Sequence, residues 1–202
     1  MKKLILSAAA VFVFSFANAQ ETSTFGFGEG NIIVEGNLGF NSTNDKNTDI
    51  KTSSFTFNPK AGYFITDDVA IGIELGIGSA REEASGAETK QSNFGVGAFA
   101  RYYFLELGER FKTYGEFGLG FDTYKEEMGG LEAKASGFGA GLGLGMNYFI
   151  TENFAINFAL SDILSYSSYK PDGGEAISEF NGNINVFDNF FTTAQFGLTF
   201  KF

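Results

Sequence analysis

A strict alternation of residue types constrains the fold of this chain more than any other feature. In the last thirteen residues, Phe190–Phe202, one set of alternate positions is mostly apolar and includes Phe196, Leu198 and Phe200. The other set is mostly polar and ends on Lys201. A period of two places the two sets on opposite faces of a β-strand. The segment therefore predicts a long amphipathic strand.

Seven earlier segments alternate in the same way, which makes eight predicted strands. They are Ile32–Asn41, Ser53–Ile65, Val69–Ser79, Gln91–Phe104, Phe111–Thr123, Ala135–Ile150, Phe154–Tyr166 and Phe190–Phe202. Each exceeds the usual strand length of about 5 to 6 residues. A tilted strand crosses a bilayer in about 9 to 11 residues, so these strands are long enough to do so. The low proline content, 2 in 202 residues, suits long unbroken strands.

The predicted connections alternate between short turns and long polar loops. The short ones cover residues 66–68, 105–110 and 151–153, and the long ones cover residues 42–52, 80–90, 124–134 and 167–189. This asymmetry is typical of a transmembrane β-barrel, with both termini on the short-turn side. The turn after strand two, Tyr63 to Ile71, resembles the turn after strand six, Tyr148 to Ile156. Both turns place a Tyr outward and the following Phe64 or Phe149 inward.

The N-terminus reads as a secretory signal peptide. Lys2 and Lys3 precede an apolar stretch over residues 4–16 and a small-residue site, Ala17-Asn18-Ala19. We expect a cleaved signal helix at 1–19, an N-terminal segment at 20–30 and a barrel domain at 31–202; an uncleaved anchor or a buried helix is the alternative. No later apolar run reaches about 18 residues, so any membrane span must consist of strands.

Volume indicates which face of the strands points outward. The interior of an eight-stranded barrel is only just wide enough to be filled by side chains. The bulky apolar face would not fit there, whereas the small polar face would, although a two-layer sandwich could still bury the larger face. The fold prediction is therefore an all-β, eight-stranded antiparallel up-and-down transmembrane barrel.

The inward face of this barrel carries charges, which must be paired or hydrated in a narrow lumen. We predict an ion-pair network centred on Arg101, with Lys60 and Tyr114 as neighbours. Its expected carboxylates are Glu35, Glu74 and Glu116. A structural plug is favoured over a gate or a proton path. The inward glycines of strand six, from Gly137 to Gly145, would leave room for large groups such as Phe99, Arg101, Tyr103 and Tyr114. Outward Tyr63, Tyr102 and Tyr148 lie beside short turns and suit a membrane interface.

Composition argues against several classes of function. The chain has no His and no Cys, which removes nucleophile triads that use His, thiol nucleophiles and ordinary zinc sites. The paired glutamates of the loops are expected to be solvated, so no enzyme activity, metal site or cofactor is predicted. A weak divalent-cation site in the last loop, around Asp172, Glu175, Glu179 and Asp188, stays open. A net charge of -10 argues against nucleic acid as a partner.

The signal sequence, the Tyr-Phe-Ile-Thr turns, the inward charges and the terminal strand resemble small bacterial outer-membrane barrels. The similar proteins are those related to the OmpA transmembrane domain and to OmpX, of the single-domain type common in Bacteroidetes. The resemblance implies a monomer held among outer-membrane lipid and lipopolysaccharide. Because the chain stops at Phe202, no peptidoglycan-binding domain is expected. The resemblance also implies that Phe200 and Phe202 form the signal read by the barrel-assembly machinery.

Two functions are compatible with this resemblance. The first is a structural or surface-interaction protein with a plugged, charged lumen and extracellular loops. The alternative is a small porin, or an OmpW-like conduit for small or hydrophobic solutes. Because eight strands normally leave no aqueous channel, the first is preferred.

Overall fold

The computed structural model describes residues 25–84, 86–182 and 195–202, and within these ranges the protein is built from nine strands. They are β1 (Ile32–Asp45), β2 (Ile50–Phe64), β3 (Val69–Ala84), β4 (Ala87–Leu107), β5 (Phe111–Met128), β6 (Leu131–Thr151), β7 (Phe154–Pro171), β8 (Ile177–Gly182) and β9 (Gln195–Lys201). Among the described residues no helix is long and apolar enough to cross a membrane. The predicted signal helix and the start of the predicted closing strand, residues 190–194, lie outside the described residues.

Eight of the strands form a closed antiparallel wall. Each strand from β1 to β7 pairs with the next along the chain. β9 closes the barrel by pairing on one side with β1, where Phe200 lies opposite Val34, and on the other with β7, where it lies opposite Phe154. The predicted eight-stranded barrel is therefore confirmed. β8 adds to the distal part of β7, with Phe180 opposite Tyr166.

Where the structure describes them, the predicted long loops are mostly β-structure, which corrects the loop boundaries drawn from the sequence. β3 continues to Ala84, and β4 begins at Ala87. Likewise, β5 continues to Met128, and β6 begins at Leu131. The hairpin of β5 and β6 turns on Gly129-Gly130, with φ values of 58° and 84°. Two positive φ angles match the tight turn that suits the twist of paired strands. The paired strands therefore continue as hairpins beyond the segments that carry the outward apolar residues.

The two faces of the wall differ as the alternation predicts. Outward residues such as Ile73 are exposed, at 61%, whereas inward Phe64 and Phe149 are fully buried. The outward apolar residues of β3 run from Val69 to Ile77, about 27 Å along the strand. At a tilt of about 40° this covers roughly 21 Å of height, close to the apolar band of about 25 Å in transmembrane barrels. The exterior is thus a lipid-facing belt.

Candidate functional site

A chain of alternating charges crosses the lower lumen. Arg101 is 1% exposed and donates from Nη1 and Nη2 to the two carboxylate oxygens of Glu35, at 2.8 and 2.7 Å. Its Nε and Nη2 also donate to Oε2 of Glu116, at 2.8 and 2.6 Å. Lys60 Nζ then joins Glu116, at 2.6 Å, to Glu74, at 2.7 Å. The structure therefore brings all five predicted lumen residues together.

Strand register explains two of these four contacts, Arg101 with Glu116 and Lys60 with Glu74. Lys60 lies opposite Glu35 on one side and opposite Glu74 on the other, and Arg101 lies opposite Glu116. The other two contacts, Arg101 on β4 with Glu35 on β1 and Lys60 on β2 with Glu116 on β5, are different, because they join strands that are not neighbours. One expectation changes here: Glu74 is held by Lys60, and it connects to Arg101 only through Lys60 and Glu116.

Neutral side chains close the network into a ring below the charges. The hydroxyl of Tyr103 accepts from Arg101 Nη1 at 3.1 Å and donates to Asn147 Oδ1 at 2.9 Å. Asn147 Nδ2 donates to the hydroxyl of Thr199 at 2.9 Å, and that hydroxyl donates to Glu35 Oε1 at 2.8 Å. These polar groups are buried and each has a partner, as buried polar groups require. The sequence reasoning had not included Asn147 or Thr199, although both sit on the inward parity.

Every wall strand contributes to this network. The Asn157 amide donates to the Tyr114 hydroxyl at 2.9 Å, and the Arg101 guanidinium lies 4.0 Å from the centre of the Tyr114 ring. With these two residues added, β1 to β7 and β9 each supply at least one side chain. The members in strand order are Glu35, Lys60, Glu74, Arg101, Tyr103, Tyr114, Glu116, Asn147, Asn157 and Thr199. The network thus ties the whole circumference together.

An aromatic layer lies beneath the network and includes a residue from outside the wall. Phe27 packs on Phe64, Tyr103 and Phe149, with ring centroids 4.5, 4.7 and 5.0 Å apart. The segment before β1 is held across the short-turn end of the barrel. Lys201 Nζ donates to the carbonyl oxygen of Gly26 at 2.7 Å.

Backbone contacts fix the same segment to the rim. The Gly30 amide donates to the Phe64 carbonyl at 2.9 Å, and the Glu29 amide donates to Asp67 Oδ1 at 2.9 Å. The sequence analysis distinguished residues 20–30 only as an N-terminal segment before the barrel. The Phe25-Gly26-Phe27 pattern was the available signal, since two large apolar residues lie directly before a strand.

Glycines make room for the aromatic side chains of the lumen, although not all of these glycines lie on β6. A Cβ atom added at Gly145 of β6 would lie 2.2 Å from the Tyr114 ring, so the inward glycine there serves the predicted purpose. Phe99 is accommodated by Gly72 of β3, where an added Cβ would lie 2.6 Å from its ring. Gly139 and other glycines of β6 line a cavity instead.

That cavity lies on the hairpin side of the network and has a volume of about 710 Å³. Its wall is rich in glycine, with Gly95, Gly97 and Gly141 among the lining residues, and its floor is formed by Lys60 and Arg101. Open space therefore lies in the lumen above the level of the network. This differs from the expectation of a plug that fills the barrel.

The remaining predicted residues lie near the short-turn rim. Tyr63 and Tyr102 are exposed on the outer wall, and Tyr148 is half-buried against Phe111, with ring centroids 4.6 Å apart. Phe200 faces outward on β9, and Phe202 exchanges backbone hydrogen bonds with Ile32 at 2.8 and 3.0 Å. Within the described ranges no three acidic side chains gather into a metal site; Asp188 lies outside those ranges.

Comparisons with known proteins found several similar solved structures. The structure is similar to the outer membrane protein OprG from Pseudomonas aeruginosa, at a TM-score of 0.52 and 16% identity, covering 88% of this chain and 98% of that one. It also matches Neisserial surface protein A, at a TM-score of 0.43 and 18% identity, covering 85% and 96% of the two chains. The attachment invasion locus protein Ail of Yersinia pestis matches at a TM-score of 0.44 and 19% identity, and the match covers 86% of this chain and 99% of that one.

At these identities the structural likeness concerns the fold alone. A search of curated proteins found no matching sequence. The family described as "Outer membrane protein beta-barrel domain" matches residues 6–202, almost the whole chain. The protein therefore belongs to the outer-membrane β-barrel family, and this membership places it in the outer membrane.

Proposed function

We propose that this protein is a sealed barrel that stabilises the envelope and presents its hairpins at the cell surface for interaction. The observation that carries the proposal is the buried network around Arg101 and Glu35, which spans the lumen and draws on all eight wall strands. A fully paired network of this kind resists the passage of solutes, because opening it would leave buried charges without partners.

The aromatic layer supports the same function. Phe27 and its neighbours Phe64, Tyr103 and Phe149 form an apolar barrier directly below the charged one. A hydrated ion or sugar would have to pass both layers in series. The proposal includes export through the signal peptide at 1–19, assembly through Phe200 and Phe202, a monomeric state, and no enzymatic activity.

Surface display follows from the length of the hairpins. The tip of the β5–β6 hairpin exposes Leu131 at 76%, and β8 exposes Phe180 at 68%. Apolar side chains on polar hairpins above the lipid belt are suited to contact with other molecules. Solvent-facing tips of this kind favour an interaction role over a purely structural one.

A liposome-swelling assay tests the sealed state. Proteoliposomes that contain the mature protein should swell no faster than empty liposomes in isotonic solutions of small sugars or amino acids. Swelling that increases with protein content and falls with solute size would instead support the alternative, a small conduit. The cavity of about 710 Å³ is the observation that keeps this alternative in view.

Labelling in intact cells tests the surface display. The chain has no Cys, so single-cysteine variants give an unambiguous signal. A membrane-impermeant maleimide should label Leu131→Cys on the hairpin tip and should not label Glu109→Cys in a short turn. The opposite pattern, or labelling of Glu109→Cys alone, would contradict the proposed orientation.

A further inference from the structure

The lumen cavity, which lies on the hairpin side of the network, has the size of a small-molecule site. Its volume of about 710 Å³ falls within the range of about 300 to 1,000 Å³ that is typical of ligand pockets. Lys60 and Arg101 form its floor, and ion pairs already hold both cations in place. The glycine-rich wall leaves open the space that side chains would otherwise fill in an eight-stranded barrel. A ligand could therefore occupy this cavity without displacing the buried network.

Two carboxylates stand close together on the wall of the lumen cavity. Asp122 of β5 leans over Gly95 of β4, where an added Cβ would lie 2.1 Å from the Asp122 Oδ1 atom. Glu74 of β3 leans over Gly97 of the same strand, where an added Cβ would lie 2.8 Å from the Glu74 Oε1 atom. Gly95 and Gly97 are one repeat apart, about 7 Å along the strand. All four residues line the cavity, so both carboxylates border its open space.

The lining of the cavity carries more negative than positive charge. Lys60 Nζ lies 2.7 Å from Glu74, whereas Asp122 forms no ion pair with any Lys or Arg among the described residues. Four lining carboxylates against two lining cations give the cavity a net charge of -2. The ionised side chains of the lining are Glu35, Lys60, Glu74, Arg101, Glu116 and Asp122.

Strand parity turns the cations of the distal hairpins away from the lumen. Arg81 lies two repeats beyond the outward Ile77 on β3, and Lys125 lies two repeats beyond the outward Phe121 on β5. Register with the neighbouring strands gives the remaining cations the same direction. The outward cations of the described hairpin strands are Lys51, Arg81, Lys90, Lys125, Lys134 and Lys170. These strands therefore add no positive charge to the lumen above Lys60 and Arg101.

Acidic side chains take the opposite parity on the same hairpins. Glu82 shares the inward face of Glu74 on β3, and Glu126 shares that of Asp122 on β5. Glu126 accepts a hydrogen bond from the neutral amide of Gln91 at 2.7 Å rather than from a cation. A cleft lined by charge of one sign concentrates ligands of the opposite sign, because its low-dielectric walls focus the field. The lumen above the network therefore attracts cations and repels anions.

The spacing of the carboxylates narrows the class of cation. Within the described ranges no three acidic side chains gather closely enough to hold a metal ion, so the site is better suited to separate charged groups on one organic molecule. An ammonium group donates up to three hydrogen bonds, and the amides of Asn58 and Asn157 in the lining supply further acceptors. We propose that the lumen cavity binds a small aliphatic diamine, with its ammonium groups on Asp122 and Glu74. Binding there requires neither a sealed lumen nor surface display, so it goes beyond the function proposed above.

Isothermal titration calorimetry of the complete folded protein in a non-ionic detergent tests the proposal. The probes are diaminopentane, the neutral pentanediol, the dianion glutarate and Mg²⁺. We expect diaminopentane to bind and the other three to bind at least about tenfold more weakly. Added salt should weaken the binding of the diamine, because the charges are screened. Equal binding of pentanediol or glutarate would overturn the charge assignment, and equal binding of Mg²⁺ would overturn the diamine class.

Two variants and a matched control locate the bound diamine. Asp122→Asn keeps the shape of the side chain and should weaken binding at least about tenfold. Gly139→Leu should also weaken it by filling the cavity without a change of charge, since an added Cβ there approaches only the Tyr166 carbonyl, at 3.8 Å. The control, Glu127→Gln, removes one charge from the outward face of β5 and should bind as the parent does. Parent-like binding by Asp122→Asn or by Gly139→Leu, or an equal loss in the control, would overturn the proposal.

Discussion

Arg101 on β4 and Glu35 on β1 face each other across the lumen and share two hydrogen bonds, at 2.8 and 2.7 Å. Two strands of the wall, β2 and β3, separate them in one direction and four in the other, so their contact braces the barrel across its lumen. Because both side chains are almost completely buried, each depends on the other for charge compensation.

Removing the cation should therefore destabilise the protein strongly. Arg101→Met keeps the bulk of the side chain but leaves Glu35 buried without its partner, and such a loss costs about 3 to 5 kcal/mol. Equilibrium unfolding in urea, in detergent or lipid vesicles, measures the change. Lys170→Met, at an exposed position on β7, serves as the control and should change stability by no more than about 0.5 kcal/mol. Similar unfolding curves for both variants would show that the network contributes little.

The Tyr114 ring should tolerate only glycine at position 145, because a larger residue there would collide with it. A Cβ at Gly145 would lie 2.2 Å from that ring, whereas a Cβ at Gly139 would approach only the Tyr166 carbonyl, at 3.8 Å. Gly145→Ala should therefore cost about 1 to 3 kcal/mol by overpacking, and Gly139→Ala much less. In a Tyr114→Ala background the additional cost of Gly145→Ala should disappear, which a double-mutant cycle measures. Equal costs in both backgrounds would contradict the proposed contact.

Acid should break the ion pairs of Glu132 at the tip of the β5–β6 hairpin within a defined pH window. Hydrogen bonds from Lys125 and Lys134 lower the pKa of Glu132 to about 2. A lowered pKa means that the stabilisation is fully present above the ordinary value of about 4.3 and is lost as the pH falls towards 2. Carboxyl carbon NMR of labelled Glu132 should show this low midpoint. Replacing both lysines by Gln should return the midpoint to the ordinary range, and an ordinary midpoint in the parent protein would refute the pairing.

The terminal aromatic residue should affect assembly more than stability. Phe202 pairs through its backbone with Ile32, so replacing its side chain leaves those hydrogen bonds in place. Phe202→Ala should lower the amount of folded barrel in the outer membrane while purified, refolded protein unfolds at nearly the parent denaturant concentration. Exposed Phe196→Ala on the same face is the matched control. Normal yield of Phe202→Ala in cells would contradict the assembly signal.

The sequence predicted the wall and the inward charges because both depend on a local period of two. Arg101, Glu35 and Lys60 fall on the inward parity of long strands, and a narrow lumen then brings them together. Which carboxylate meets which cation depends on register and on distance across the lumen, so the pairing of Glu74 with Lys60 could not be read from the pattern.

Two further features escaped prediction for different physical reasons. Phe27 lies in a segment too short to show any period, and its partners Phe64 and Phe149 are far away in the chain. The distal hairpins carry charged residues on their outward face, as Arg81 and Lys90 illustrate. Polar residues on both faces hide the alternation that elsewhere identifies a strand, which made these segments look like loops.

Single-channel recording in a planar bilayer tests the central claim of a sealed lumen most directly. The wild-type protein, folded and inserted, should give a flat baseline across a range of applied voltages, because the Arg101 network and the Phe27 layer block the lumen in series. Steady, reproducible open steps from the wild-type protein at neutral pH would contradict the sealed barrel and favour a conduit.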